Sequence, residues 1–141
     1  MTQLDLDRKP LPSPTAVSRP YWDGLKEREI RLQRCDSCGN LQFYPRPSCR
    51  ACGGVALTWE AVPGRGQVYS ATVIHRAPYQ AFAGDVPYVY AIVELDSGPR
   101  LVTNVVTDDV DAVTIGMRVT ARFEDVDDVT LLKFEPDVAH E

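Results

Sequence analysis

Cys35-Asp36-Ser37-Cys38-Gly39 and Cys49-Arg50-Ala51-Cys52-Gly53 are two matching pentapeptides, and they hold every cysteine of this 141-residue chain. Two CxxC pairs can supply the four thiolates of one tetrahedral metal shell. The glycine closing each pentapeptide permits a left-handed backbone, so each loop can turn back and aim its N–H groups at the sulfurs. Cys35, Cys38, Cys49 and Cys52 are therefore read as ligands of a single structural site, a pair of zinc knuckles. No fifth ligand or open position accompanies them, which argues against a catalytic metal. Zinc is the expected ion; the same thiolates suit iron in a rubredoxin-like site, and the ligands alone leave both open.

Two disulfides are the rival use of four cysteines. The N-terminus, Met1-Thr2-Gln3-Leu4-Asp5-Leu6-Asp7-Arg8-Lys9, has no apolar core of the kind a signal peptide needs, so a cytoplasmic chain with reduced thiols is expected. No apolar run approaches the length of about 18 residues that spans a membrane, and a soluble protein is expected.

Working outward, the first 17 residues contain Pro10, Pro12 and Pro14 without hydrophobic periodicity and are read as a flexible Pro-rich arm, 1–17. Ser18 can cap a helix that tolerates Pro20 in its first turn and carries Tyr21, Trp22 and Leu25 on one face. Gly24 weakens that helix, which then needs something to pack on. Alternation from Glu29 to Gln33, with Ile30 and Leu32 on one side, reads as the strand leading into the first knuckle. Helix and lead-in strand occupy 18–34, and the ribbon 35–59. A segment this short cannot fold by burial alone, so metal should supply most of its folding free energy.

The remainder, 60–141, is β-rich. Runs at 67–75, 88–95, 100–107, 117–123 and 129–134 are read as five strands, with a hairpin turn at Asp96-Ser97-Gly98-Pro99 and room for one helical turn at 108–113. Five short strands with one interruption between the third and fourth suit an OB-type barrel, which closes to remove its own edges; a plain antiparallel sheet or sandwich is the other option. The expected class is mainly β: an N-terminal helix, a zinc ribbon and a five-stranded OB-fold barrel.

Charge divides along the same line. Residues 18–59 carry seven Arg/Lys against four Asp/Glu, a formal +3, whereas 60–141 carry six against fourteen, a formal −8. Arg31, Arg34, Arg46 and Arg50 are expected to offset the negative charge of a metal tetrathiolate. The acidic second half offers no cationic groove for phosphates.

Several motifs in this order carry a resemblance. Pro20-Tyr21-Trp22, the Arg34-Cys35-Asp36-Ser37-Cys38-Gly39 knuckle, Tyr44-Pro45-Arg46, Trp59, Gly64-Arg65-Gly66-Gln67-Val68-Tyr69-Ser70, Pro87-Tyr88, Gly116-Met117-Arg118-Val119 and Phe134-Glu135-Pro136 sit where the DUF35 family has similar residues. Over roughly 18–136 the chain resembles that family of OB-fold, acyl-CoA-associated proteins with a rubredoxin-like zinc ribbon. The resemblance implies a companion of thiolase-like enzymes, which perform acyl transfer, hydroxymethylglutaryl-CoA formation or retro-aldol cleavage of steroid side-chain CoA esters. It implies a hetero-oligomer with a thiolase-like subunit and sometimes a hydratase-type one, and a CoA ester bound near the shared interface. The family subunit stabilises its partner and helps shape the CoA or acyl channel; the chemistry belongs to the partner.

The residues agree with a non-catalytic role. His75 ends a strand and His140 lies in the terminal tail, neither beside a nucleophile, and Asp108-Asp109 and Asp127-Asp128 fall in turns. Contacts to a partner or to CoA are easier to nominate. The segment 76–87 is too long and apolar for a minimal hairpin, and its Tyr79 and Phe82 are candidates for recognition, with packing onto the ribbon as the plainer role. Arg65 and Arg76 are candidate donors to CoA phosphates. The glycines of Gly64-Arg65-Gly66 are expected to permit the bend from ribbon into barrel. An OB module for single-stranded nucleic acid is the alternative function, and it would require a basic groove interleaved with aromatics.

Overall fold

A computed structural model of the chain describes residues 8–137. The first seven positions of the expected arm, and His140, lie outside the described residues. Among the described residues one α-helix, α1 (Arg19–Lys26), is followed by β1 (Ile30–Cys35), β2 (Leu41–Gln42) and β3 (Leu57–Val62), and these strands form one antiparallel sheet in the order β2-β1-β3. Five further strands, β4 (Arg65–Ile74), β5 (Tyr88–Leu95), β6 (Arg100–Val105), β7 (Arg118–Val126) and β8 (Val129–Pro136), close into a barrel of order β4-β5-β6-β8-β7. The strand that pairs with Ile30–Cys35 straddles residues 59 and 60, so ribbon sheet and barrel are joined through the short link Pro63-Gly64.

Helix α1 begins at Ser18, but not by the expected side-chain cap. The Ser18 carbonyl accepts the N–H groups of Tyr21 and Trp22 at 3.0 and 3.2 Å, while its buried hydroxyl turns back to accept the Thr15 N–H at 2.9 Å. Gly24 fits under a neighbour: a Cβ there would stand 2.8 Å from Cγ and Cδ of Arg31. The helix packs on β1, β7 and β8, and buried Tyr21 and Leu25 join Ile30 and Leu32 in a core continuous with barrel residues Val68, Val93, Val119 and Phe134. One hydrophobic core therefore serves both parts of the molecule.

Closure rests on β4, which pairs with β7 through its first three residues and with β5 along most of its length. A register shift between Val68 and Ser70 marks a bulge, the usual means of bending a strand that serves two partners. Between β6 and β8 only Val105 and Phe134 pair, in parallel, and the buried Thr103 hydroxyl strengthens that seam by donating to the Leu132 carbonyl at 3.1 Å. The interruption before β7 holds one 3-10 turn, Val110–Ala112.

The glycines of Gly64-Arg65-Gly66 act by close approach, not by a special backbone angle. A Cβ on Gly64 would lie 2.7 Å from the Ala121 Cβ, and one on Gly66 would lie 2.3 Å from the Glu94 carbonyl oxygen. Chain crossing at the barrel seam leaves no room for a side chain there.

Candidate metal centre

The two knuckles repeat one another in their hydrogen bonding. Gly39 and Gly53 adopt left-handed φ values of 77° and 78°, as expected. Each donates its N–H to the carbonyl of its leading cysteine, Gly39 to Cys35 and Gly53 to Cys49, both at 2.8 Å. The cysteine N–H groups answer with bonds to the Asn40 and Gly54 carbonyls at 2.9 and 2.7 Å. The glycine N–H groups thus close the turn, and other amides face sulfur: Ala51 N–H lies 3.3 Å from Cys49 Sγ and Gly54 N–H lies 3.4 Å from Cys52 Sγ.

All four Sγ atoms lie within 4.8 Å of one another, with Cys35–Cys52 and Cys38–Cys49 at 3.6 Å. These separations are far too long for disulfides. They match the edge of about 3.8 Å expected for a tetrahedron built on metal–sulfur bonds of about 2.3 Å. Donor amides favour thiolate at the two leading cysteines: the N–H groups of Cys38 and then Ser37 hold the Cys35 thiol below its ordinary pKa, and those of Cys52 and Ala51 draw Cys49 down to about 6, while the neighbouring sulfurs push the Cys38 and Cys52 thiols up. Cys35 and Cys49 are buried, Cys38 and Cys52 exposed, so one edge of the cluster faces solvent. Four sulfurs on two rigid turns suit a structural metal.

A pair of glutamines, which the sequence reading missed, ties the second knuckle to the sheet. Gln33 and Gln42 face each other across β1 and β2, both buried. The Gln33 Oε1 accepts the Gln42 side-chain amide and the Arg46 N–H, each at 2.8 Å, and Gln33 Nε2 donates to the Arg46 carbonyl at 2.9 Å. Gln42 in turn donates to the Ser48 carbonyl at 3.2 Å and accepts the Arg50 N–H at 2.9 Å. The segment carrying Cys49 is thereby held by side chains where no strand holds it. Glutamine in an alternating strand ordinarily reads as solvent-facing, so only the pairing of two of them would have signalled this.

Arginines expected to neutralise the sulfurs divide differently. Arg34 is engaged by Glu60, with Nη2 to Oε2 at 2.7 Å, and donates to the Gly39 carbonyl; Arg31 pairs with Glu27 and Glu29. These two are spent on carboxylates, while Arg46 and Arg50 stay exposed around the knuckle.

The nominated contact residues fall in separate places. Arg65 starts β4 at the ribbon–barrel junction, half exposed, with Nε 3.9 Å from Asp137. Arg76 is exposed in the loop beyond the other end of β4. A strand of this length puts them roughly 30 Å apart, so they do not converge on one phosphate. Tyr79 and Phe82 do meet: their rings lie 6.0 Å apart on the 76–87 loop, where Gln80–Phe82 forms a 3-10 turn, and Phe82 approaches Tyr88 at 6.4 Å. This loop packs against the N-terminal arm: Lys9 bonds Asp85 at 2.5 Å and lies over the Phe82 ring. His75 is exposed at the strand end. Among the described residues no helix is long and apolar enough to cross a membrane.

Comparison with known proteins places the same two parts. Residues 22–58 match the family model "ChsH2, rubredoxin-like zinc ribbon domain", and residues 59–124 match "ChsH2, C-terminal OB-fold domain". A probable enoyl-CoA hydratase alpha subunit of Thermomonospora curvata is 39% identical over 94% of this chain and 41% of its own length. The 3-oxo-4,17-pregnadiene-20-carboxyl-CoA hydratase alpha subunit of Mycobacterium tuberculosis is 37% identical over 95% of this chain and 42% of its own. The chain thus spans about two fifths of the length of these two relatives. A DUF35 domain-containing scaffold protein of Methanocaldococcus jannaschii is 37% identical, over 82% of this chain and 87% of its own length. Among solved structures, a chain of the Ltp2-ChsH2(DUF35) aldolase superposes with a TM-score of 0.79 at 38% identity, covering 89% of this chain and 98% of that one. With a zinc-ribbon region, a closed OB barrel and these relatives, this chain belongs to the DUF35 family.

Proposed function

We propose that the chain is the non-catalytic zinc-ribbon and OB-barrel subunit of a thiolase-like acyl-CoA enzyme complex. The complex would carry out acyl transfer, or aldol or retro-aldol chemistry such as cleavage of a steroid side-chain CoA ester, and this subunit would stabilise the partner and shape its CoA or acyl channel. The observation that carries this reading is the likeness to a chain of the Ltp2-ChsH2(DUF35) aldolase along 98% of that chain's length. Two relatives named as hydratase alpha subunits support a hydratase-type subunit as a further member of the assembly.

Within that assembly Cys35, Cys38, Cys49 and Cys52 hold zinc, which cross-links the two knuckles and supplies no reactive position. The division of labour follows the arm at 1–17, helix and lead-in strand at 18–34, ribbon at 35–59 and barrel at 60–141, in a cytoplasmic protein. Tyr79 and Phe82 face the partner or the acyl channel, and Arg65 and Arg76 serve as separate contacts to CoA or to the partner. The nucleic-acid alternative has less support: on the barrel's outer face Tyr90 and Val102 are exposed, but Arg100 is engaged by Glu94 at 2.9 Å and lies over Tyr69.

Co-expression with the thiolase-like subunit of the same organism tests the proposal. Co-elution at fixed stoichiometry, with carbon–carbon bond chemistry that needs both chains, is the expected result. Elution of each protein alone at micromolar concentration would overturn it, as would salt-dependent capture of single-stranded DNA or RNA near physiological ionic strength.

A further inference from the structure

One end of the barrel, beside the 76–87 loop, holds a cavity of about 510 Å³ that lies apart from the metal centre and shares the Phe82 side chain with the proposed partner-facing loop. Its volume is within the range of roughly 300–1,000 Å³ of small-molecule pockets, and the mouth of a β-barrel is a common place for them. Leu11, Phe82, Tyr88, Val106, Val110 and Leu131 supply an apolar lining. One wall is the arm itself. Lys9 fastens it to Asp85 of the 76–87 loop, and Arg8 stands 3.9 Å from Asp127 in the turn between β7 and β8, so the arm bridges two loops across the barrel mouth.

The charged groups of the lining are already matched. Lys133 donates to Glu124 at 2.9 Å, and Lys9 pairs with Asp85. The Asn104 amide donates to the Val89 carbonyl at 3.0 Å, and the Thr107 hydroxyl accepts the Asp109 N–H. An anionic ligand would have to break an existing pair, and a phosphate finds no spare cation. The Tyr88 phenol is the one polar side chain of this lining with no hydrogen bond among the described residues.

We propose that this cavity binds a neutral, mainly apolar small molecule carrying one hydrogen-bonding oxygen, with the arm at Lys9–Leu11 as its outer wall and the Tyr88 hydroxyl as its polar contact. Apolar burial would supply the affinity, and one hydroxyl the orientation. Binding here needs no partner and is tested on the isolated full chain, so its failure would leave the accessory role proposed above untouched.

The test is a titration with the neutral fluorophore 1-aminoanthracene, followed by displacement with 1-decanol and with decyl phosphate. Saturable binding is expected, with displacement by decanol and little by decyl phosphate. Tyr88→Phe should weaken decanol by several-fold while leaving the fluorophore unchanged. Val110→Glu, or Leu11→Glu should the first lose its fold, should weaken both by about tenfold or more. Val102→Glu, on the outer face, should bind like the parent, with metal content and Tm confirming that each variant is folded. Absence of saturable binding, equal binding by the Val110 and Leu11 variants, or loss in Val102→Glu would each overturn the proposal.

Discussion

Arg28 grips Asp125 across 97 positions of sequence, Nη1 to Oδ1 at 3.0 Å and Nη2 to Oδ2 at 2.7 Å, and so fastens the helix end to the barrel strand β7. Arg28 takes this position in a left-handed conformation, φ 63°, at the point where the chain leaves α1 and glycine is the commoner choice. Its guanidinium also lies over the Phe123 ring, 5.9 Å from the centroid. The pair aligns ribbon and barrel on their shared core.

A pH dependence follows from this contact. The Arg28 guanidinium, and then the Thr130 hydroxyl, hold the Asp125 carboxyl down to about 2. A depressed carboxylate contributes stability that is fully present above its unfolded value, about 4, and is lost as pH falls through about 2. In Arg28→Gln most of that dependence should vanish, so Tm curves of parent and variant, measured at low salt from pH 5 to 2, should converge at the acid end. Both groups are solvent-exposed, so salt should narrow the gap at neutral pH.

Removing the metal should unfold the ribbon. Structural zinc contributes on the order of 10 kcal/mol or more in small fingers, comparable to the whole stability of a domain. Cys49→Ala, or a strong chelator, should release one metal ion per chain and lower Tm sharply. Barrel signals should suffer too, because Ile30 and Leu32 of the ribbon sheet share a core with Val119 and Phe134. Metal analysis with thermal unfolding checks both effects.

Gln33→Leu removes the acceptor of the Arg46 N–H and one of the two acceptors of the Gln42 amide, which keeps only the Ser48 carbonyl. Unmade buried hydrogen bonds of this kind cost about 1–3 kcal/mol each. The variant should lose stability on that scale in denaturant titration and should surrender its metal to a chelator faster than the parent.

Two glycines should respond oppositely to alanine. Gly66→Ala drives a Cβ to 2.3 Å from the Glu94 carbonyl oxygen, a backbone clash at the β4–β5 seam, and should cost about 2 kcal/mol or more. At Gly84, on the 76–87 loop, nothing lies within 4 Å of the added carbon, so Gly84→Ala should be neutral or mildly stabilising. Tm measurements on the two variants side by side decide it.

By itself the sequence determined the four-cysteine cluster and the kinds of element. Two cysteines three residues apart and a following glycine fix a knuckle within five residues, since the turn that presents both sulfurs is local and only glycine adopts its final φ without strain. Alternating apolar residues likewise placed five barrel strands, because a strand with one face buried needs a period of two wherever it sits. Tertiary structure alone decided the grip of Arg28 on Asp125, the buried Gln33–Gln42 pair, the tight packing at Gly64 and Gly66, and the arm that walls the barrel mouth. Each depends on which segments barrel closure brings together, and a side chain able to face water or a distant partner carries no periodic mark of its choice.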